Sequence, residues 1–302
     1  GMDAGPNQPS PGTAAARDGH AMLSYRHGFH AGNHADVLKH VLLLRLLRHL
    51  VEKDKPLQYV DTHAGAGSYS LEAGFAARNA EYASGVARLW QQQDLPAPVA
   101  DYIGLVRTFN PDGELRRYPG SPRIAADALR TQDRLRLYEL HSTESELLAE
   151  EFKDAGRRVR VDRADGFAAL GAVLPPVSRR GVVLIDPSYE MQSDYRAVVA
   201  ALKLSLSRFA TGVYVVWYPM LPRRESQELP ERLVRAAGSD YLHVALQVRA
   251  PAADRFGLHG SGVVIVNPPW KLADEIEPVM PLLASVLAQD TAARYRFDAH
   301  QT

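Results

Sequence analysis

The chain has 302 residues, and its 35 basic and 35 acidic side chains cancel, so any nucleic-acid contact must use a local basic patch rather than overall charge. It has no cysteine, which excludes disulfides and thiolate zinc sites and fits a reducing, cytoplasmic setting. The longest apolar stretch, 37–51, is broken by Lys39, His40, Arg45, Arg48 and His49, so no membrane association is expected.

Residues 1–20 are rich in Gly, Pro, Ala and Ser and read as a disordered leader. Five histidines, 20, 27, 30, 34 and 40, follow with Tyr25 and Arg26 among them. Asn33 is a natural N-cap with Asp36 three residues on, and the apolar spacing after it predicts a helix over 33–53, stopped by Pro56. A short strand at 57–60 runs into Asp61-Thr62-His63-Ala64-Gly65-Ala66-Gly67. A strand, an acid and a Gly-x-Gly loop mark a first nucleotide-binding turn, although the third glycine of the dinucleotide fingerprint is absent. Residues 69–117 show no buried strand and read as an inserted helical subdomain between two parts of a core, 21–68 and 118–302. Arg116, Arg117, Arg123, Arg130, Arg134 and Arg136 then cluster in sequence, either as a solvated face or as an RNA-facing patch. Strands are predicted at 135–140, 159–161, 181–186 and 211–218, with a terminal hairpin from 241–248 and 262–266. Helices near 122–132, 143–155, 190–208 and 222–237 separate the earlier strands. The sum is an α/β, Rossmann-like fold: a mostly parallel sheet of about seven strands with helices on both faces.

The stretch 181–190 organises this pattern. Gly181 to Ile185 read as a strand buried on both faces, and it opens into Asp186-Pro187-Ser188-Tyr189. At the carboxyl end of a parallel strand, that turn offers the Asp186 carboxylate and the Pro187 carbonyl as an acceptor pair, with the Tyr189 ring beside them. The set suits a flat heterocycle bearing an amine. Equally, Asp186 could simply cap the next helix. Three successive strands after the glycine loop end in or near an acid: Glu139, Asp165 and Asp186. A carboxylate after the second strand suits ribose hydroxyls and one after the third suits an adenine amine, which favours S-adenosylmethionine over NAD.

Longer motifs carry a resemblance. The segment 22–40, the loop 61–67, Tyr118-Pro-Gly-Ser-Pro122, Pro176-Val-Ser-Arg-Arg-Gly181 and Asn267-Pro-Pro-Trp-Lys271 closely resemble the bacterial 23S ribosomal RNA adenine-N6 methyltransferase J family, over about 22–272. The resemblance implies a class I methyltransferase core with a small helical insertion. It implies S-adenosylmethionine contacts from His40, His63, Ser121, Glu139, Asp165 and Gly166, beside Asp61 and Gly65 of the glycine loop. It makes Asp186 the catalytic acceptor, with Pro187 and Tyr189 in the same turn, and sets Tyr25, next to Arg26, against the substrate RNA. The expected partner is 23S ribosomal RNA, protein-free or early in assembly, bound by a monomer. One departure stands out: the family's Asp-Pro-Pro-Tyr is here Asp-Pro-Ser-Tyr, so Ser188 loosens the turn.

Other readings compete with this one. Asn267-Pro268-Pro269-Trp270 has the form of a second amino-methyltransferase turn, but follows the last predicted strand rather than the fourth. His27, His30 and His34 have helical spacing that invites a metal, yet a fourth ligand is lacking, so none is expected. A glutamine-N5 protein methyltransferase, or a weakly active RNA-binding homologue, would retain parts of the same turn.

Overall fold

The computed structural model describes residues 28, 30–72, 80–252 and 257–302. The leader, with Tyr25, Arg26, His20 and His27, lies outside them. The strands are β1 (Gln58–Asp61), β2 (Ser68–Ser70), β3 (Arg117–Pro119), β4 (Arg134–Tyr138), β5 (Val159–Asp162), β6 (Gly181–Ile185), β7 (Val213–Met220), β8 (Tyr241–Gln247), β9 (Gly260–Val266) and β10 (Arg294–His300). Eight of them form one sheet in the order β10-β8-β9-β7-β6-β1-β4-β5. The five from β5 to β7 are mutually parallel, and β9, β8 and β10 follow with antiparallel pairings.

The sequence predicts about seven strands, and β10 is the eighth. Its Arg-Tyr-Arg-Phe-Asp-Ala-His run is largely exposed on the sheet edge, so it lacks the buried apolar alternation by which strands are read. The predicted hairpin of β8 and β9 forms. Helices at Gly166–Val173, Leu272–Ile276 and Val279–Val286 have no counterpart in the sequence prediction; the first carries two glycines and the others are bordered or interrupted by proline.

Chain order runs from β1 outward through β4 to β5, then returns to the other side of β1 for β6 and β7. The reversal makes the carboxyl end of β1 a switch point, where open α/β sheets leave a crevice. Helices cover both faces. His34–Leu50 packs with Ser121–Ala128, Ala97–Thr108 and the β7–β9 region, while Gly166–Val173, Ser193–Arg208 and Arg224–Ala237 lie in succession elsewhere on the sheet.

The His34–Leu50 helix starts as its sequence directs. Asn33 Oδ1 accepts from the Asp36 amide at 2.9 Å and Asp36 Oδ2 accepts from the Gly32 amide at 3.0 Å, a reciprocal cap. It is buried on nearly every side, and each buried leucine contributes roughly 1.5–3 kcal/mol. It ends at Leu50 rather than Lys53. Arg130 and Arg180 donate to the carbonyls of Leu50, Val51, Lys53 and Lys55 and close the turn there.

Between β2 and β3, which pair antiparallel apart from the main sheet, the chain makes a 3-10 turn and the helices Val86–Trp90 and Ala97–Thr108. This segment meets the core where Gly85 crosses Gly32. A Cβ on Gly85 would lie 2.2 Å from the Gly32 carbonyl, so the approach needs glycine.

Candidate active site

Register builds the site. Asp61 at the end of β1 is level with Leu137 of β4 and Leu184 of β6, so Glu139 and Asp186 stand two residues beyond it on either side. Asp61 is fully buried; its Oδ2 accepts from the Tyr59 hydroxyl at 2.7 Å and the Ser121 hydroxyl at 2.6 Å. Burial pushes the Asp61 carboxyl upward against the pull of those hydroxyls. Its Oδ1 is buried without a hydrogen-bond partner, so an acceptor is left over at the switch point.

Glu139 accepts from the Gly65 amide at 2.9 Å through Oε1 and from the His141 amide at 2.8 Å through Oε2. Two amides leave lone pairs on both oxygens for further donors. Asp165 caps the Gly166–Val173 helix by accepting from the Phe167 amide at 3.0 Å, and it is exposed. Gly166 backs onto β1: a Cβ there would sit 2.0 Å from the Thr62 carbonyl. His63 pairs with the Thr62 hydroxyl at 2.7 Å and meets Phe167 edge-on at 4.8 Å; burial lowers it to about 4, so it is neutral. His40 is buried, lies 2.6 Å from the Tyr118 hydroxyl, and is held neutral by burial, at about 3. Tyr118 in turn shares a hydrogen bond of 2.7 Å with Tyr102, on the Ala97–Thr108 helix.

Asp186 is 4% exposed and bonds to a residue that sequence reasoning did not single out. Lys39 Nζ donates to Asp186 Oδ2 at 2.5 Å, lies 3.2 Å from Asp36 Oδ1, and sits 5.4 Å from the centre of the Trp217 ring. Burial pushes Asp186 up to about 7 against the pull of Lys39. Burial opposes the Lys39 charge, but two carboxylates outweigh it and its pKa is raised, so the ammonium persists. The available signal was a lysine within an apolar helix three residues after an acid, the spacing at which side chains meet.

Asp186, Lys39, Asp36 and Trp217 line a cleft of about 460 Å³ with Ser188, Tyr189 and His30. Tyr189 adopts a left-handed φ of 56°, its ring is buried against Tyr195 and Trp217, and its hydroxyl donates to the Trp217 carbonyl at 2.6 Å. The ring therefore forms part of the cleft wall. His30 pairs with Glu81 at 2.6 Å, and no cluster of three metal-ligating side chains occurs among the described residues.

Two sequence features lie away from this cleft. Asn267 follows β9, whose end pairs with the start of β7, so it sits at the amino-terminal end of the parallel strands, opposite the carboxyl end that carries Asp186. The arginine cluster is divided as well. Arg116 pairs with Glu72 and Asp112, and Arg117 reaches Ser68, beside the β2–β3 pair. Arg130 is locked to Asp133 at the start of β4, because the Ser121–Ala128 helix carries the chain from the carboxyl end of β1 back to the amino-terminal end of the strands.

A family model described as "Ribosomal RNA large subunit methyltransferase D, RlmJ" matches residues 54–298. The ribosomal RNA large subunit methyltransferase J of Escherichia coli strain K12 is 52% identical over 267 residues, 88% of this chain and 94% of that protein. The chain belongs to this family. Its namesake from Haemophilus influenzae is 44% identical, covering 89% of this chain and 95% of the relative. A crystal structure of a Legionella pneumophila protein, 36% identical, superposes with a TM-score of 0.83 over 90% of this chain and 99% of that one. The family match extends the sequence resemblance of 22–272 into β10, to residue 298.

Proposed function

We propose that this chain transfers a methyl group from S-adenosylmethionine to the exocyclic N6 of an adenine in 23S ribosomal RNA. The observation that carries this reading is the Asp186 carboxylate, buried at the carboxyl end of β6, clamped by Lys39 and open to the cleft. Names of relatives supply the ribosomal RNA; the amine as acceptor follows from the chemistry of the turn.

The residues present fit the cofactor. The unpartnered Asp61 Oδ1 and the Gly65 loop suit its amino-acid end, Glu139 the ribose hydroxyls, and Asp165 an adenine amine. In this reading His40, His63, Ser121 and Gly166 serve it as donors, packing surface or close backbone. S-adenosylmethionine supplies an electrophilic methyl group when bound.

The chain's own part is to prepare the acceptor. An adenine amine is a poor nucleophile because its lone pair is delocalised into the ring. Lys39 occupies Asp186 Oδ2, leaving Oδ1 to accept one amine hydrogen while the Pro187 carbonyl accepts the other, which aims the lone pair outward. As N6 becomes cationic, the adjacent carboxylate stabilises it and takes the excess proton. The base must leave its stack to reach the turn, and the Tyr189–Trp217 wall bounds the space it enters.

The test is tritiated methyl transfer to protein-free 23S ribosomal RNA and to assembled large subunits, followed by digestion to nucleosides. Label should appear as N6-methyladenosine, preferentially on protein-free RNA. Asp186→Ala should lower transfer about 10²–10⁴-fold while retaining cofactor binding, and Asn267→Ala should be milder. Label on a protein glutamine with none on RNA would favour the glutamine-N5 activity instead.

A further inference from the structure

The Asn267-Pro268-Pro269-Trp270-Lys271 turn takes no part in the chemistry above, yet it is firmly built. Asn267 holds a left-handed φ of 57°, and its amide donates to the carbonyls of Ala210 at 2.9 Å and Gly212 at 2.7 Å. Two prolines fix the next backbone angles, and the Leu272 amide returns to the Pro269 carbonyl at 3.0 Å. The turn delivers Trp270 to the surface at 72% exposure, whereas Trp90 and Trp217, the other two tryptophans, are buried. A rigid mount for an exposed indole needs a partner to explain it.

Its surroundings say which. Trp270 edges a cleft of about 470 Å³ at the amino-terminal end of the parallel strands, with Lys53, Lys55, Arg179, Arg180 and Lys271 around it. None of the five forms an ion pair with a described residue, although the chain as a whole is neutral. The one acid lining the cleft, Glu52, is 3.5 Å from His49. Lys271 Nζ lies 5.2 Å from the centre of the Trp270 ring. Arg180 is spent on backbone carbonyls and shapes the cleft, which leaves the three lysines and Arg179 as its free charge.

Point charges from three segments around one exposed π-face match a nucleic-acid strand, whose phosphates meet cations while a base stacks on an aromatic ring. We propose that this cleft is a second RNA-binding site, in which Trp270 stacks an unpaired base and Lys53, Lys55 and Lys271 hold flanking phosphates. This rests on the ribosomal RNA reading and adds a contact remote from the methylated base. Strand β6 leaves the cleft at Gly181 and reaches the active site at Asp186, roughly 17 Å away at about 3.3 Å per residue, so one folded RNA domain can occupy both. The site holds RNA for the reaction without touching the reacting atoms.

The experiment uses the full chain and a protein-free 23S ribosomal RNA transcript, with affinity measured across a salt series and single-turnover methylation at saturating RNA. Trp270→Ala should weaken RNA binding about tenfold, with the saturated rate unchanged, and Trp270→Phe should recover most of the loss. Replacing Lys53, Lys55 and Lys271 together by Gln should flatten the salt slope by about two units. Unchanged S-adenosylmethionine binding in all three variants shows that they remain folded. Parental affinity and slope in the variants, with wild-type methylation intact, would overturn this proposal alone; that is also the result expected if the cleft takes an acidic protein. A wild-type chain that neither binds nor methylates the RNA would overturn the parent reading and this site with it.

Discussion

Replacing Lys39 by Met removes the one cation bonded to Asp186 and keeps most of the side-chain volume. Two unit charges about 4 Å apart attract by about 4 kcal/mol at an effective dielectric near 20, and breaking a buried pair costs about 3–5 kcal/mol. Burial already holds Asp186 at about 7 while Lys39 pulls it down, so without Lys39 it moves higher. A coupling of about 3 kcal/mol corresponds to roughly two pH units. The proposed mechanism uses the ionised carboxylate, so the single-turnover rate at pH 7.5 should fall at least about tenfold and recover partly by pH 9, following that shift. Stability follows with a definite sign. A folded-state pKa above the unfolded value of 3.8 gives stability that is full below about pH 4 and lost as pH rises through 7. The variant should therefore lose more against urea at pH 8 than at pH 5. A Lys39→Met enzyme whose pH midpoint stays near 7 and whose rate is within threefold of the parent would refute the coupling.

Three further changes probe the rest of the site. Gly166→Ala should destabilise the fold by about 1–3 kcal/mol or more in chemical denaturation, because its Cβ would meet the Thr62 carbonyl at 2.0 Å; an unchanged midpoint would mean the backbone yields freely. Tyr118→Phe removes the hydroxyl shared by His40 and Tyr102 and should cost about 1–3 kcal/mol by leaving buried polar atoms unpaired, with a matching loss of cofactor affinity in calorimetry if His40 contacts the cofactor. Ser188→Pro should stabilise the turn by roughly 0.4–1 kcal/mol and change the single-turnover rate less than about tenfold; rescue of an inert parent a thousandfold would show that Ser188 had disabled it.

The parallel half of the sheet was legible because β6 is a continuous apolar run buried on both faces, and β1, β4, β5 and β6 each end in or beside an acid. The Asn33 cap was legible for a similar reason: its partner lies three residues away. Lys39 was not, since its meaning depends on Asp186, 147 residues distant, and a lysine among leucines looks like one polar interruption of an apolar face. The arginine cluster misled in the opposite way. Six arginines close in sequence suggest one patch, but a helix between them carries the chain from one end of the strands to the other and local carboxylates or carbonyls engage several of them. Tyr25 and Arg26, expected at the RNA, lie outside the described residues. Strand β10 was missed because an exposed edge strand has little hydrophobic pattern to read.

The His34–Leu50 helix also sets a problem of timing. Its apolar sides are covered by Ala97–Thr108, Ser121–Ala128 and the β7–β9 region, and the last of these is complete only at Val266. At about 5–20 residues per second, roughly 10–40 s of translation separate the helix from its final cover. During that interval a leucine-rich segment of the nascent chain has no complete core to enter. The burial of Lys39 and His40 is thus tied to the synthesis of the last quarter of the sheet.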